Sequence, residues 1–82
     1  EFQLRSDPQQ LGMIQGKTLS QLELGRRSGA LVLAIRDQGR MIANPGGDRR
    51  LEPGQLLIVL GSRQQLQQFQ AQLGDALEPM QV

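Results

Sequence analysis

Four short runs of the chain have the patterning of β-strands. Residues 30–36 (ALVLAIR) and 55–60 (QLLIVL) are almost continuously apolar, which predicts strands that are buried on both faces. Residues 2–5 alternate between apolar and polar side chains, and residues 40–44 (RMIAN) follow the first apolar strand after Asp37-Gln38-Gly39. Glycine in that short segment favours a hairpin turn, because tight hairpin turns need positive φ angles.

Two helices are predicted, each beginning with a capping box, in which a Ser or Thr and a Gln three residues later exchange hydrogen bonds. The two pairs are Thr18 with Gln21 and Ser62 with Gln65. The first helix is predicted to end at Gly25 in a left-handed conformation. The second is predicted to continue to about residue 74 or 77 and to bury a stripe formed by Leu66, Phe69 and Leu73.

The remaining segments are predicted to be turns and loops. Residues 8–16 are expected to form a loop that leads to the first helix, and residues 26–29 to turn the chain. Residues 45–48 (PGGD) form a loop rich in residues that break regular structure. Residues 52–54 (EPG) have Pro and Gly where a type II turn prefers them. Residues 78–82 are expected to fray.

The predicted order of elements is strand, helix, hairpin, strand, helix. This order indicates an α+β fold, a small β-sheet with two helices on one face. Apolar residues on the other face of the sheet then stay exposed in a single chain. Burial of apolar surface contributes about 25 cal/mol per Å², so an extensive bare face favours association. We therefore expect a homodimer or a covering partner domain; the alternative is that residues 11–14 cover this face.

The stretch GMIQGKTL, residues 12–19, looks like a phosphate-binding P-loop. That motif requires four residues between its first glycine and Gly-Lys-Ser/Thr, whereas only three residues separate Gly12 from Gly16. No apolar strand leads directly into the segment, and no later strand ends in an acid placed to hold magnesium. We interpret Gly16 as a turn residue, Thr18 as a helix cap and Lys17 as an exposed side chain.

The composition argues against several classes of function. The chain has no cysteine and no histidine, so it lacks thiolate ligands, the commonest metal ligand and the commonest general base. It has no Trp or Tyr to stack on bases, and its nine basic and eight acidic residues are interspersed, so it shows no basic stripe. The longest apolar run is far shorter than the roughly 20 residues that span a bilayer. We expect no nucleic-acid partner and no membrane insertion.

An enzymatic function is also not expected. The four serines have no histidine to activate them as nucleophiles. Asp37 and Asp48 could form a carboxylate pair, but both are accounted for by their places in a hairpin and a turn. No calcium-binding loop spacing is present.

A series of different short motifs extends along nearly the whole chain, in the order in which a known family has them. The motifs are Gly16-Lys17-Thr18-Leu19, Leu22 with Leu24, Ile35-Arg36, Ile42-Ala43-Asn44-Pro45, and Pro53-Gly54-Gln55-Leu56. Taken together they resemble the TrkA-C family, the C-terminal subdomain of RCK regulatory units. Gln55 departs from the pattern, because the family usually has Asp there, where it is expected to cap a turn.

The resemblance implies a non-enzymatic regulatory domain on the cytoplasmic side of a potassium channel, potassium uptake system, cation/proton antiporter or anion transporter. Family members usually pair as dimers, and in several of them a small ligand binds at the interface, cyclic di-AMP being the best-known case. The implied partners are a second copy and either the RCK N-terminal subdomain or a transmembrane domain of the same protein. Residues 1–82, which lack an initiating Met, are expected to be one domain excised from a longer transport protein.

If a ligand binds, we predict that it contacts the hairpin. The predicted site residues are Ile35, Arg36, Ile42, Asn44 and Pro45. The guanidinium of Arg36 can bind a phosphate in a bidentate manner, the amide of Asn44 can reach a base or phosphate, and the other three can pack against a flat ring. A symmetric ligand suits a two-fold interface. The alternative is that Arg36 faces water and residues 44–45 form only a turn, which leaves a ligand-free assembly module.

Overall fold

The computed structural model of the protein describes residues 1–78. The predicted fraying of residues 78–82 therefore lies, apart from Glu78, outside the described residues. The strands are β1 (Phe2–Gln3), β2 (Leu31–Asp37), β3 (Arg40–Ala43) and β4 (Leu56–Leu60). The helices are α1 (Pro8–Leu11), α2 (Leu19–Leu22), α3 (Leu24–Ser28) and α4 (Arg63–Leu73), with single 3-10 turns at Gly12–Ile14 and Gly74–Ala76.

The predicted α+β fold is confirmed. The four strands form one antiparallel sheet in the order β1-β4-β2-β3. Strands β2 and β3 form the predicted hairpin, in which Asp37 pairs with Arg40 across a two-residue turn. Gln38 and Gly39 both have positive φ angles, 52° and 81°, as a type I′ turn requires.

Both predicted capping boxes are present. The backbone N–H of Gln21 donates to Thr18 Oγ1 at 3.0 Å, and the N–H of Thr18 donates to Gln21 Oε1 at 2.9 Å. Ser62 and Gln65 make the same two bonds at 3.1 Å and 2.9 Å. These bonds satisfy backbone donors that a helix end otherwise leaves unpaired, so they define where α2 and α4 begin.

The prediction that residues 8–16 form a loop is wrong. The side chain of Asp7 accepts a hydrogen bond from the N–H of Gln9 at 3.0 Å, and Pro8 occupies the first turn of α1, where a missing N–H costs nothing. The Asp-Pro pair thus starts a helix here. Leu11 and Ile14 are buried as a result.

The predicted end of the first helix is also wrong. Glu23, not Gly25, adopts the left-handed conformation that ends α2, with φ 52° and ψ 35°. The chain then enters α3 directly, and Gly29, with φ 80°, ends that helix. Gly25 lies inside α3, where a Cβ would come within 3.2 Å of the Ala30 carbonyl oxygen. The glycine therefore allows a close approach of α3 to the following strand.

One apolar core joins the helices to a single face of the sheet. It consists of Leu4, Leu11, Ile14, Leu24, Ala30, Ile35, Leu51, Leu57, Phe69, Leu73, Ala76 and Leu77. Phe69 and Leu73 of α4 belong to it, as the apolar stripe predicts, and Leu66 packs against it. The ring of Phe69 lies 5.4 Å from that of Phe2, centroid to centroid.

The two faces of the sheet have different environments. Ile35 and Leu57, paired across β2 and β4, are fully buried on the face that carries the helices, which we call the core face. Successive side chains of a strand point to opposite faces, so the residues on either side of Ile35 and Leu57 point to the face without helices. Leu11 and Ile14 pack into the core. The alternative that residues 11–14 cover the opposite face of the sheet is therefore wrong.

Candidate ligand site and interaction surface

In the P-loop-like segment, the backbone amides from Gly16 to Ser20 are already hydrogen-bonded within the protein. Its backbone groups pair with residues 47–51 in four hydrogen bonds of 2.9–3.0 Å: Gly16 N–H to Leu51 O, Leu51 N–H to Lys17 O, Leu19 N–H to Arg49 O, and Ser20 N–H to Gly47 O. A helix N-terminus binds anions through unpaired N–H groups, and here the protein's own carbonyls occupy them. The segment is therefore structural, as its spacing predicts.

The face of the sheet opposite the helices is apolar and open. We call it the outer face; register places Gln3, Leu31, Ala34, Arg36, Met41, Ala43, Leu56, Ile58 and Leu60 on it, together with Leu33, the extra residue of a bulge in β2. Leu31 is 57% exposed, Leu60 60% and Met41 49%. Strand β4 is thus buried on one face only within a single chain. An exposed apolar patch of this kind is typical of an interaction surface.

Arg36 is the one charged residue among these outer-face residues. It lies between Met41 of β3 and Leu56 of β4, and it is exposed. Asp37, the next residue, points to the core face, where its carboxylate accepts a hydrogen bond from Gln55 Nε2 at 3.2 Å. Within residues 1–78 the one ion pair joins Arg26 and Glu23, so no acid of the described chain neutralises Arg36.

Asn44 and Pro45 lie at the other end of the hairpin. Asn44 has a positive φ of 55°, its N–H donates to the Leu33 carbonyl at 2.8 Å, and its side chain is exposed. Asparagine tolerates the left-handed conformation better than most residues do. The turn that it makes therefore presents its amide to solvent from a fixed backbone position.

Pro45 borders an open cavity of about 450 Å³ between α2, α3 and the start of β2. Its apolar wall includes Leu19, Leu31 and Val32, and Arg26 stands among its polar groups. An apolar wall with a few polar groups is the usual character of a small-molecule site. Sequence reasoning found Pro45 but not Leu31 or Val32, because a continuously apolar strand does not reveal which of its residues stay exposed.

The predicted site residues do not form one pocket in a single chain. Ile35 is fully buried in the core, so a single chain offers none of its surface to a ligand, and its assignment as a pocket wall stays a prediction. Ile42 pairs with Ile35 on the same face and is half-buried. Arg36 points to the outer face, and five residues of β2, roughly 16 Å at ~3.3 Å per residue, separate it from Leu31 beside the Pro45 cavity.

Gln55 replaces the usual acid of the family motif and keeps its capping role. Its Oε1 accepts from the N–H of Glu52 at 2.9 Å, within the turn that Gly54 makes with φ 81°. Its Nε2 donates to Asp37, which links that turn to the hairpin. The side chain is 1% exposed, and its polar groups are satisfied, as burial requires.

Two classes of site find no support in the described residues. Residues 1–78 contain no cluster of three or more acidic, Cys or His side chains that could hold a metal ion. No helix among them has the length and apolarity to cross a membrane.

A four-stranded antiparallel sheet with helices packed on one face and a bare apolar face on the other defines a small α+β domain with one surface available for interaction. The model of the TrkA-C domain family matches residues 12–74, and the chain belongs to this family. The resemblance drawn from the motifs is thereby confirmed.

Solved structures of RCK_C domains share the fold. An RCK_C domain dimer of BusR from S. agalactiae in complex with c-di-AMP is 23% identical, with a TM-score of 0.68 over 74% of this chain and 80% of that one. BusR in complex with its busA-promotor DNA is 22% identical, with a TM-score of 0.70 over 87% of this chain. The GsuK channel is 25% identical, with a TM-score of 0.65 over 76% of this chain. No curated protein sequence matches the chain.

The chain corresponds to only part of the larger relatives. It covers 34% of the BusR chain bound to the busA-promotor DNA and 12% of the GsuK chain. The chain is therefore a regulatory domain of the RCK_C type, related in fold to a channel and to BusR, which binds c-di-AMP.

Proposed function

We propose that this domain pairs with a second copy through the outer face and acts as a regulatory and dimerisation unit on the cytoplasmic side of a potassium (cation) channel or transporter. The observation that carries the proposal is the bare apolar face of a domain whose family and fold are known. Leu31, Leu60 and Met41 are about half exposed or more, and none of the helices covers them. The structurally similar RCK_C domain of BusR is a dimer.

The proposed ligand is a small anionic nucleotide of the cyclic di-AMP type. A c-di-AMP complex exists for the BusR domain, and the Pro45 cavity supplies an apolar wall on which a purine can pack. The amide of Asn44 supplies hydrogen bonds, and Arg36 supplies positive charge. Arg36 and the Pro45 cavity are too far apart within one protomer to contact the same small ligand. In a symmetric dimer, a symmetric ligand could contact Arg36 of one copy and the cavity of the other.

Regulation would follow from linkage. A ligand that binds the paired arrangement better than the unpaired or rearranged one shifts the population toward it. The domain is then a coupling element, because the free energy of that shift is available to whatever transport domain is attached. Catalysis by the domain itself is not part of this proposal.

Titration calorimetry with cyclic di-AMP tests the ligand. We expect measurable binding by the purified domain, and a Kd about tenfold weaker for Asn44→Asp, which removes an amide donor and adds a charge that repels phosphate. Aspartate tolerates the same positive φ, so the fold should be retained. Gln67→Glu makes the same chemical change on the exposed side of α4 and should bind as the wild type does.

A ligand-free assembly module is the second candidate. It is favoured by the openness of the Pro45 cavity, and it predicts no heat of binding and no thermal shift with millimolar cyclic di-AMP. In that case the domain would still dimerise. Two of the similar structures are BusR bound to promotor DNA, so the expected absence of nucleic-acid binding stays a prediction, which a gel-shift experiment with duplex DNA would check.

A further inference from the structure

We infer that Gln55 couples the β2–β3 hairpin to β1, so that a change in order at the end of the hairpin is transmitted to the opposite edge of the sheet. Strands β1 and β3 are the two edges, and β4 lies between β1 and β2. Gln55 is the residue immediately before β4. The coupling is a property of one chain and needs neither a ligand nor a second copy, whereas its regulatory meaning rests on the proposed function.

Gln55 bonds to both neighbouring strands beyond the point where regular strand pairing ends. The pairing of β4 with β1 and with β2 ends at Leu56 on both sides. One residue further, the N–H of Leu4 donates to the Gln55 carbonyl at 2.8 Å, and Gln55 Nε2 donates to the carboxylate of Asp37 at 3.2 Å. The main chain of Gln55 thus holds the segment after β1, and its side chain holds the end of β2.

The turn before β4 is firmly attached to the β1 side. The N–H of Gly54 donates to the Arg5 carbonyl at 2.9 Å, and Gln3 Nε2 donates to the Gly54 carbonyl at 2.8 Å. These bonds join the turn and the first strand in one hydrogen-bonded unit. In the part of the chain that the structure describes, the bond from Gln55 to Asp37 is the one side-chain hydrogen bond between this unit and the hairpin.

Burial makes this bond sensitive to what happens at the hairpin. Gln55 is 1% exposed, whereas Asp37 is half-buried. A buried amide that loses its acceptor is left without a partner, which is costly, so release or ordering of Asp37 acts on Gln55. Hydrogen-bonded neighbours open together in such networks. An aspartate at position 55, usual in the family, has no N–H to donate, so the link depends on the glutamine.

The end of the hairpin offers matched variants. Asp37→Ala removes the acceptor of the Gln55 amide, whereas Asp37→Asn keeps an oxygen that can accept the same bond. Arg40→Ala shortens the side chain that lies opposite Asp37 on the same face and leaves Gln55 untouched. Asp37 is half-buried and Arg40 is exposed, so all three variants should fold, which thermal melts check.

Hydrogen exchange of single backbone amides, followed by NMR on the full chain, tests the coupling. The reporters are the N–H groups of Leu4 and Gly54, which are both hydrogen-bonded. We expect Asp37→Ala to speed their exchange by about tenfold relative to the amide of Phe69 in α4, which reports opening of the whole domain. Asp37→Asn and Arg40→Ala should keep the wild-type ratio. The ratio separates transmission from a general loss of stability.

A second series with millimolar cyclic di-AMP separates the coupling from the proposed ligand. If the nucleotide orders the hairpin, the exchange of Leu4 and Gly54 relative to Phe69 should slow in wild type and Asp37→Asn, and less in Asp37→Ala. Equal slowing in wild type and Asp37→Ala would overturn the coupling. An unchanged ratio in ligand-free Asp37→Ala, or the same acceleration in Arg40→Ala, would also overturn it. Acceleration in Asp37→Ala alone, with no response to the nucleotide, would support the coupling and contradict the proposed ligand.

Discussion

Ile35 and Leu57 lie opposite each other on the core face and are fully buried, whereas Leu31 and Leu60 lie opposite each other on the outer face and are more than half exposed. All four residues belong to the same two strands and have similar side chains. The difference arises because the helices pack on one face only. An apolar pattern therefore reports what a strand can bury, and the rest of the fold decides what one chain does bury.

The largest expected effect is on stability and comes from a residue packed against the core face. Phe69→Ala removes a fully buried ring from α4 and should lower the free energy of unfolding by about 3–5 kcal/mol, a large part of the stability of so small a domain. Urea unfolding followed by circular dichroism measures it. Gln68→Ala on the exposed side of the same helix should change stability by less than about 0.5 kcal/mol. A loss below about 1 kcal/mol for Phe69→Ala would contradict the assigned core.

A substitution on the outer face should change the dimerisation constant and leave the free energy of unfolding nearly unchanged. Leu60→Glu places a charge on the outer face and should weaken dimerisation by roughly 100-fold, because burying an unpaired charge costs several kcal/mol. The unfolding free energy of the monomer should change by less than about 0.5 kcal/mol, since Leu60 is exposed in one chain. Analytical ultracentrifugation measures the association, with Gln67→Glu as control. Unchanged dimerisation would place the interface elsewhere.

Gln55, a buried polar residue, tests whether hydrogen bonds also stabilise the core face. Gln55→Ala leaves the Glu52 N–H and the Asp37 carboxylate without their partner and should cost about 1–3 kcal/mol. Gln55→Asp, which restores the common family residue, should recover part of that loss by capping the turn again. Thermal unfolding measures both. Equal stability of Gln55→Ala and wild type would show that solvent replaces the lost partner at no cost.

The smallest effect is expected at a helix end. Ser62→Ala removes the acceptor for the Gln65 N–H and should destabilise the domain by about 1 kcal/mol. Ser62→Asp keeps an acceptor at the same place and should be close to wild type. Urea unfolding resolves the difference. A loss as large as that of Phe69→Ala would mean that Ser62 supports more than the start of α4.

The sequence pattern correctly predicts the features that depend on interactions between residues close together in the chain. Both capping boxes, the Gln38-Gly39 turn and the stripe of Phe69 and Leu73 depend on neighbours within a few residues, and each is present. Asp7 could have predicted α1, because its side chain precedes a proline as an N-cap does. An Asp-Pro pair is also typical of turns, which favours the loop predicted for residues 8–16.

Signals that depend on tertiary packing were not predictable. Glu23 takes the left-handed conformation in place of the nearby Gly25, which is reserved for the close approach to Ala30. For the candidate site, the hairpin residues were found, but their faces were not, since the bulge at Leu33 changes the alternation along β2. The alternation alone thus does not show that Ile35 lies in the core.

The exposure of outer-face methyl groups to a soluble paramagnetic agent, measured by NMR at rising concentrations of the domain with cyclic di-AMP present, tests most directly whether this face pairs. Signals of Leu31, Leu60 and Met41 should be strongly broadened at low concentration and protected as dimers form. Met13, which is 86% exposed in the 3-10 turn Gly12–Ile14, should stay broadened throughout. Dimers in which these outer-face methyl groups stay accessible, or a domain that remains monomeric at millimolar concentration, would contradict the account.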